Sequence, residues 1–103
     1  MAYQIVVQAH GDALEDYDVM LAMEERLASA IGSLGEVDGH DIGSGETNVF
    51  ILTEAPRAAF ASVLPILEEF RVLDRVRVAY RRVDDDTYTL LWSPNSQEDF
   101  SIL

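Results

Sequence analysis

The chain has 103 residues, 49% of them hydrophobic and 25% charged, a composition that folds around a core rather than staying disordered. Nineteen acidic residues stand against seven basic ones, all of them arginine, for a formal charge of −12 at pH 7. With no cysteine, disulfides, thiolate nucleophiles and Cys-ligated metals are excluded, and the negative field argues against nucleic acid as a partner because it repels phosphates.

The length suits one domain with one core, expected over residues 1–96, followed by a short tail at 97–103. The first residues, Met1-Ala2-Tyr3-Gln4-Ile5, lack the basic region and apolar run of a secretory signal. The most apolar stretch, residues 58–67, is interrupted by Ser62 and Pro65, so no membrane span is expected and a cytoplasmic location is the default.

Residues 3–9 alternate Tyr3, Ile5 and Val7 with Gln4, Val6 and Gln8, the period of a strand. Gly11 and Asp12 break it. From about residue 16 to 31 the period becomes helical, with Met20, Met23, Leu27, Ala30 and Ile31 on one stripe. Asp12, Glu15, Asp16 and Asp18 gather at the start of that helix, where carboxylates suit free N–H groups and the helix dipole. Residues 36–42 are polar with Gly39 among them, the pattern of a bulged edge strand. After Gly43-Ser44-Gly45, residues 47–53 carry Val49, Phe50, Ile51 and Leu52 in succession, as a strand covered on both faces does.

Pro56 then opens a second helix, with Phe60, Val63, Leu64 and Leu67 as its buried stripe and Pro65 expected to kink or loosen its middle. Residues 74–83 alternate Val76, Val78 and Tyr80 with Arg75, Arg77 and Arg81. Asp84-Asp85-Asp86 marks a turn, and residues 87–92 return as a last strand ending at Trp92.

The element order β-α-β-β-α-β over roughly residues 3–83, with an added strand, resembles the ferredoxin-like α/β plait. The resemblance implies an α+β fold with two helices on one face of an antiparallel sheet, the first and third strands central, and the second and fourth at edges. The residue 75–92 hairpin would extend one edge. Plaits often pair through their open sheet faces, so a homodimer by that route is one expectation. The resemblance carries no particular activity, because this plait hosts many functions.

Three groups of residues invite a chemical reading. The first is the hairpin segment with Asp38, His40, Asp41, Ser44 and Glu46, which sets carboxylates beside glycines. Its plain reading is a bulged hairpin with a glycine turn; its functional reading is a loop that grips a partner or ligand. With Asp12, Glu15 and Asp16 it forms the acidic candidate surface. The second is the pair His10 and His40, the only histidines, each near an aspartate, Asp12 and Asp41. That is the minimum for general-base chemistry or a weak metal site; the plain reading, which comes first, is two solvent-exposed or locally bonded histidines. The third is Arg75, Arg77 and Arg81, expected on one sheet face, as an anion or self-association site. Their plain reading is a charged strand that blocks edge pairing. No nucleophile elbow, phosphate loop or metal motif is present, and no catalytic residue, metal or cofactor is assigned.

Residues 1–70 carry 13 acids and two arginines, whereas residues 71–103 carry six acids and five arginines. That asymmetry, with no catalytic constellation, points to a non-enzymatic interaction or regulatory module of the inhibitor or immunity kind, holding a basic partner against an acidic surface. The alternatives are a plait that senses a small metabolite near residues 10–18 and the hairpin, and a small dimeric-plait enzyme using His10 or His40 with Asp41.

Overall fold

The computed structural model describes residues 2–10, 17–43 and 45–94. Among them the order is β1 (Tyr3–His10), α1 (Tyr17–Ile31), β2 (Gly35–Gly43), β3 (Glu46–Thr53), α2 (Pro56–Glu69), β4 (Val76–Arg82) and β5 (Thr89–Trp92), with short 3-10 turns at Gly32–Leu34 and Leu73–Arg75. The strands form one antiparallel sheet in the order β2-β3-β1-β4-β5. This is an α+β fold whose strand order is compatible with a ferredoxin-like plait.

The helix-side core follows from alternation. Ile5, Val7 and Ala9 of β1, Val49 and Ile51 of β3, and Val76 and Val78 of β4 project to one face. There they meet Met20, Met23, Leu27 and Ile31 of α1 and Ala59, Val63, Ile66 and Leu67 of α2. Each fully buried aliphatic side chain contributes about 1.5–3 kcal/mol of transfer free energy. The α1 stripe matches the periodicity of the sequence, except that Ala30 is only half-buried. On α2 the stripe is rotated: Ala59 and Ile66 are buried, and Phe60 and Leu64 are half-buried. The helix continues through Pro65. Pro65 and Ala61, four residues earlier, are both exposed, so the carbonyl that loses its partner faces water. Outside, Arg26 of α1 donates two hydrogen bonds to the Glu69 carboxylate of α2, at 3.0 and 2.9 Å. The bonded guanidinium holds the Glu69 carboxyl below the ordinary carboxylate range.

Two glycines shape the β2 edge. A Cβ at Gly35 would lie 2.3 Å from the Leu52 carbonyl oxygen, so only glycine lets β2 start this close to β3. Gly39 sits at φ +113° where the pairing register shifts, which makes the expected bulge a real one. Thr53, fully buried, closes this end of the sheet: its hydroxyl donates to Leu34 O at 2.6 Å and accepts from Ala55 N–H at 3.0 Å.

The arginine strand differs from its expectation in two ways. The strand begins at Val76, so Arg75 belongs to the Leu73–Arg75 turn and not to the alternating set. The strand is also an inner one, with β1 on one side and β5 on the other, so its arginines do not guard an open edge. The strand is kept inner because β5 docks there, where Trp92 packs against the core and its Nε1–H donates to Leu73 O at 2.7 Å.

Candidate functional site

The sheet face turned away from the helices carries the polar residues of the inner strands. The register sets Asn48 of β3, Gln8 of β1 and Arg77 of β4 in one row, and Glu46 beside His10 in the next. Gln8, Glu46 and Asn48 are buried, as are their apolar neighbours Val6 and Ala79. Polar side chains on inner strands must find partners or leave their desolvation uncompensated.

Four of them close into a ring. Gln8 Nε2 donates to Glu46 Oε1 at 3.4 Å, and Arg77 Nη2 donates to Gln8 Oε1. Arg77 Nη2 also lies 2.7 Å from His10 Nε2, and His10 Nδ1 lies 3.3 Å from Glu46 Oε2. A guanidinium has donors only, so His10 Nε2 accepts and the ring proton resides on Nδ1, facing Glu46. The chain of contacts therefore fixes one imidazole tautomer. Asn48 Oδ1 is buried without a hydrogen-bond partner among the described residues, and Glu46 Oε2 has the His10 Nδ1 contact at 3.3 Å in place of a hydrogen bond of good geometry. An unsatisfied buried acceptor of this kind costs about 1–3 kcal/mol.

A cavity of about 390 Å³ opens at the His10 end of this ring, lined by His10, Asp74, Arg75, Val76, Arg77 and Pro94. Arg75 and Arg77 thus do come together, through the turn that carries Arg75 to the sheet end. Arg81 does not join them. Its Nη1 donates to the carbonyls of Arg82, Val83 and Asp85 at 3.0–3.1 Å and so closes the turn before β5.

The acidic candidates take a different place. Asp38 and Asp41 are exposed on β2, the edge strand, together with Glu36. His40, on the same strand, turns to the helix side, where its Nδ1 lies 2.9 Å from Glu24 Oε1 and its ring meets Tyr17 edge-on at 5.8 Å. The two histidines therefore belong to separate clusters on opposite faces. Glu46, grouped by sequence with the hairpin acids, is 4% exposed and belongs to the buried ring. Asp12, Glu15, Asp16 and Ser44 lie outside the described residues, as does the tail at 97–103.

Gln8 and Asn48 are the site residues that sequence reasoning missed. Their signal was present: Gln8 is in phase with His10 on β1, and Asn48 in phase with Glu46 on β3. Which of these polar positions meet depends on strand register, set by residues far apart in the chain. Among the described residues, no group of three or more His, Asp or Glu is placed to hold a metal ion, and no helix is long and apolar enough to cross a membrane. Set against known proteins, the chain matches no family model, no curated protein and no solved structure.

Proposed function

We propose that this protein is a non-enzymatic interaction module, of the inhibitor or immunity kind, that docks its acidic β2 edge on a basic protein partner. The observation that carries this reading is the make-up of the edge. Strand β2 ends the sheet with nine residues whose outer side pairs with no described strand, and Glu36, Asp38 and Asp41 stand exposed along it. Asp18 and Glu25 are exposed on α1, the neighbouring helix. Arg26, the one arginine in residues 17–43, has its guanidinium engaged by Glu69.

Exposed apolar side chains accompany the charge: Ile42 is 55% and Tyr17 53% exposed. Rim charge with a few apolar anchors is the pattern by which a surface gains both fast association and specificity. The same features discourage a second copy at this edge, since like charges would face each other and the Gly39 bulge disturbs the template. The opposite sheet face suits a homodimer less well, because Val6, Gln8 and Ala79 at its centre are already fully buried in one chain.

The test is capture of partners at low and at high salt, followed by affinity measurement with the isolated partner. A basic protein whose binding weakens steeply with salt, and weakens at least tenfold against the triple variant Glu36→Gln/Asp38→Asn/Asp41→Asn, supports the reading. Failure to retain any salt-sensitive basic protein, or unchanged affinity of the triple variant, overturns it.

A further inference from the structure

We propose that the β2 edge takes its partner by strand addition. A flexible, basic segment of the partner pairs with β2 as an added strand, with lysine or arginine at every second position and apolar side chains between them. This rests on the reading of the edge as the docking surface and names how it docks. The backbone supplies the first argument. The outward N–H and C=O groups of Gly35–Gly43 meet no described strand, and an extended peptide laid along them gains a ladder of main-chain hydrogen bonds.

The bulge supplies the second. Glu36 and Asp41 are five residues apart, so in a regular strand they would lie on opposite faces. Asp38 is the extra residue, since Val37 pairs with Ile51 and Gly39 with Phe50. That single insertion brings both carboxylates onto the sheet face turned away from the helices, Glu36 opposite Leu52 and Asp41 opposite Asn48. The same shift puts Val37, His40 and Ile42 together on the helix side, opposite Ile51, Val49 and Thr47. Val37 packs on the core there, and the exposed Tyr17 ring of α1 meets His40 edge-on. The edge is therefore sorted into an acidic row and a row of apolar and aromatic surface.

Charge and sorting together choose the occupant. A strand added to this edge alternates its side chains between the same two faces. Its residues on the outer face come beside Glu36 and Asp41, where opposite charges across strands attract and like charges repel. Its residues on the helix side come beside Val37, Ile42 and Tyr17. Glu24 on that side is engaged by His40 at 2.9 Å, so apolar side chains are favoured there over charged ones. A second copy of β2 would set acid against acid. A rigid, regular strand would also meet the bulge as a mismatch, whereas a segment unstructured before binding can pair on either side of it.

The experiment is titration of the full chain with a heptapeptide of alternating lysine and valine, read by calorimetry and by amide hydrogen exchange. Two controls keep its charge: an isomer with the lysines in one block, and the alternating peptide N-methylated at every amide. Saturable binding of the alternating peptide is expected, at least tenfold tighter than either control, with slower exchange of the β2 amides. The charge-reversed variant Glu36→Lys/Asp41→Lys, changed only at exposed positions, should lose that binding and take up the corresponding glutamate–valine peptide instead. Equal affinity for the block isomer or for the N-methylated peptide, or no saturable binding of the alternating peptide, would overturn strand addition while leaving salt-sensitive docking of a basic partner at the edge intact. Unchanged affinity of the charge-reversed variant for the lysine peptide would overturn the charge pairing on which both readings rest.

Discussion

The β2 edge and the β3-β1-β4 centre both carry polar side chains, and they hold them in opposite ways. On the edge, Glu36, Asp38 and Asp41 stand in water. Their charges cost the fold almost nothing and act over a Debye length. In the centre, Gln8 and Glu46 are stripped of water and depend on each other, on His10 and on Arg77, with Asn48 buried beside Gln8. There a polar atom acts only within hydrogen-bond reach, and its loss is felt by the whole sheet. The same residue types thus serve long-range attraction in one region and short-range geometry in the other.

That contrast can be broken most forcefully at Gln8. Gln8→Ala removes the acceptor of Arg77 and the donor to Glu46 at once, and a loss of about 2–3 kcal/mol is expected from groups left unsatisfied. Urea unfolding measures it. Gly35→Ala comes next. The added methyl must push β2 off the Leu52 carbonyl, and overpacking of this kind costs about 1–3 kcal/mol. Faster hydrogen exchange confined to β2 and β3 would show that the edge has loosened while the centre holds. The triple neutralisation of Glu36, Asp38 and Asp41 should then leave stability within about 0.5 kcal/mol while it weakens salt-sensitive partner binding at least tenfold. A large fall in melting temperature from that variant would erase the distinction between the two regions.

The smallest effect belongs to the exposed Arg26–Glu69 pair. The Glu69 carboxyl is depressed, mainly by its hydrogen bond to Arg26. A depressed carboxylate contributes stability above its unfolded pKa and loses it as pH falls through the folded one. Wild type and Arg26→Gln should therefore differ slightly at neutral pH and converge below the carboxylate range. Acid melting curves that stay parallel would show that the pair contributes nothing.

Much of the fold was legible because it rests on local patterns. The 2.0 period of β1, the 3.6 period of α1 and the polar, glycine-interrupted β2 all name their structures directly. The rotation of the α2 stripe was hidden because Ala59 reads as neutral until Phe60 is seen half out of the core. The candidate site was legible only as parts. Glu46 and Arg77 were both visible as candidates, but one was grouped with an acidic hairpin and the other with an arginine stripe. They belong together through Gln8, 38 residues from Glu46 and 69 from Arg77. The pairing register that joins them emerges from the packing of the whole sheet. Arg75 reached the cavity by leaving the strand, and alternation could not foresee that.

Trp92 gives the molecule a built-in optical gauge. It is the single tryptophan, and its indole N–H is tied to Leu73 O, in the same Leu73–Arg75 turn whose Asp74 and Arg75 line the cavity. Indole emission responds to hydrogen bonding and to nearby charge, so any rearrangement of the Leu73–Arg75 turn should shift the fluorescence without a label. The strap that fastens the last strand to the sheet therefore doubles as a reporter for the turn it is tied to.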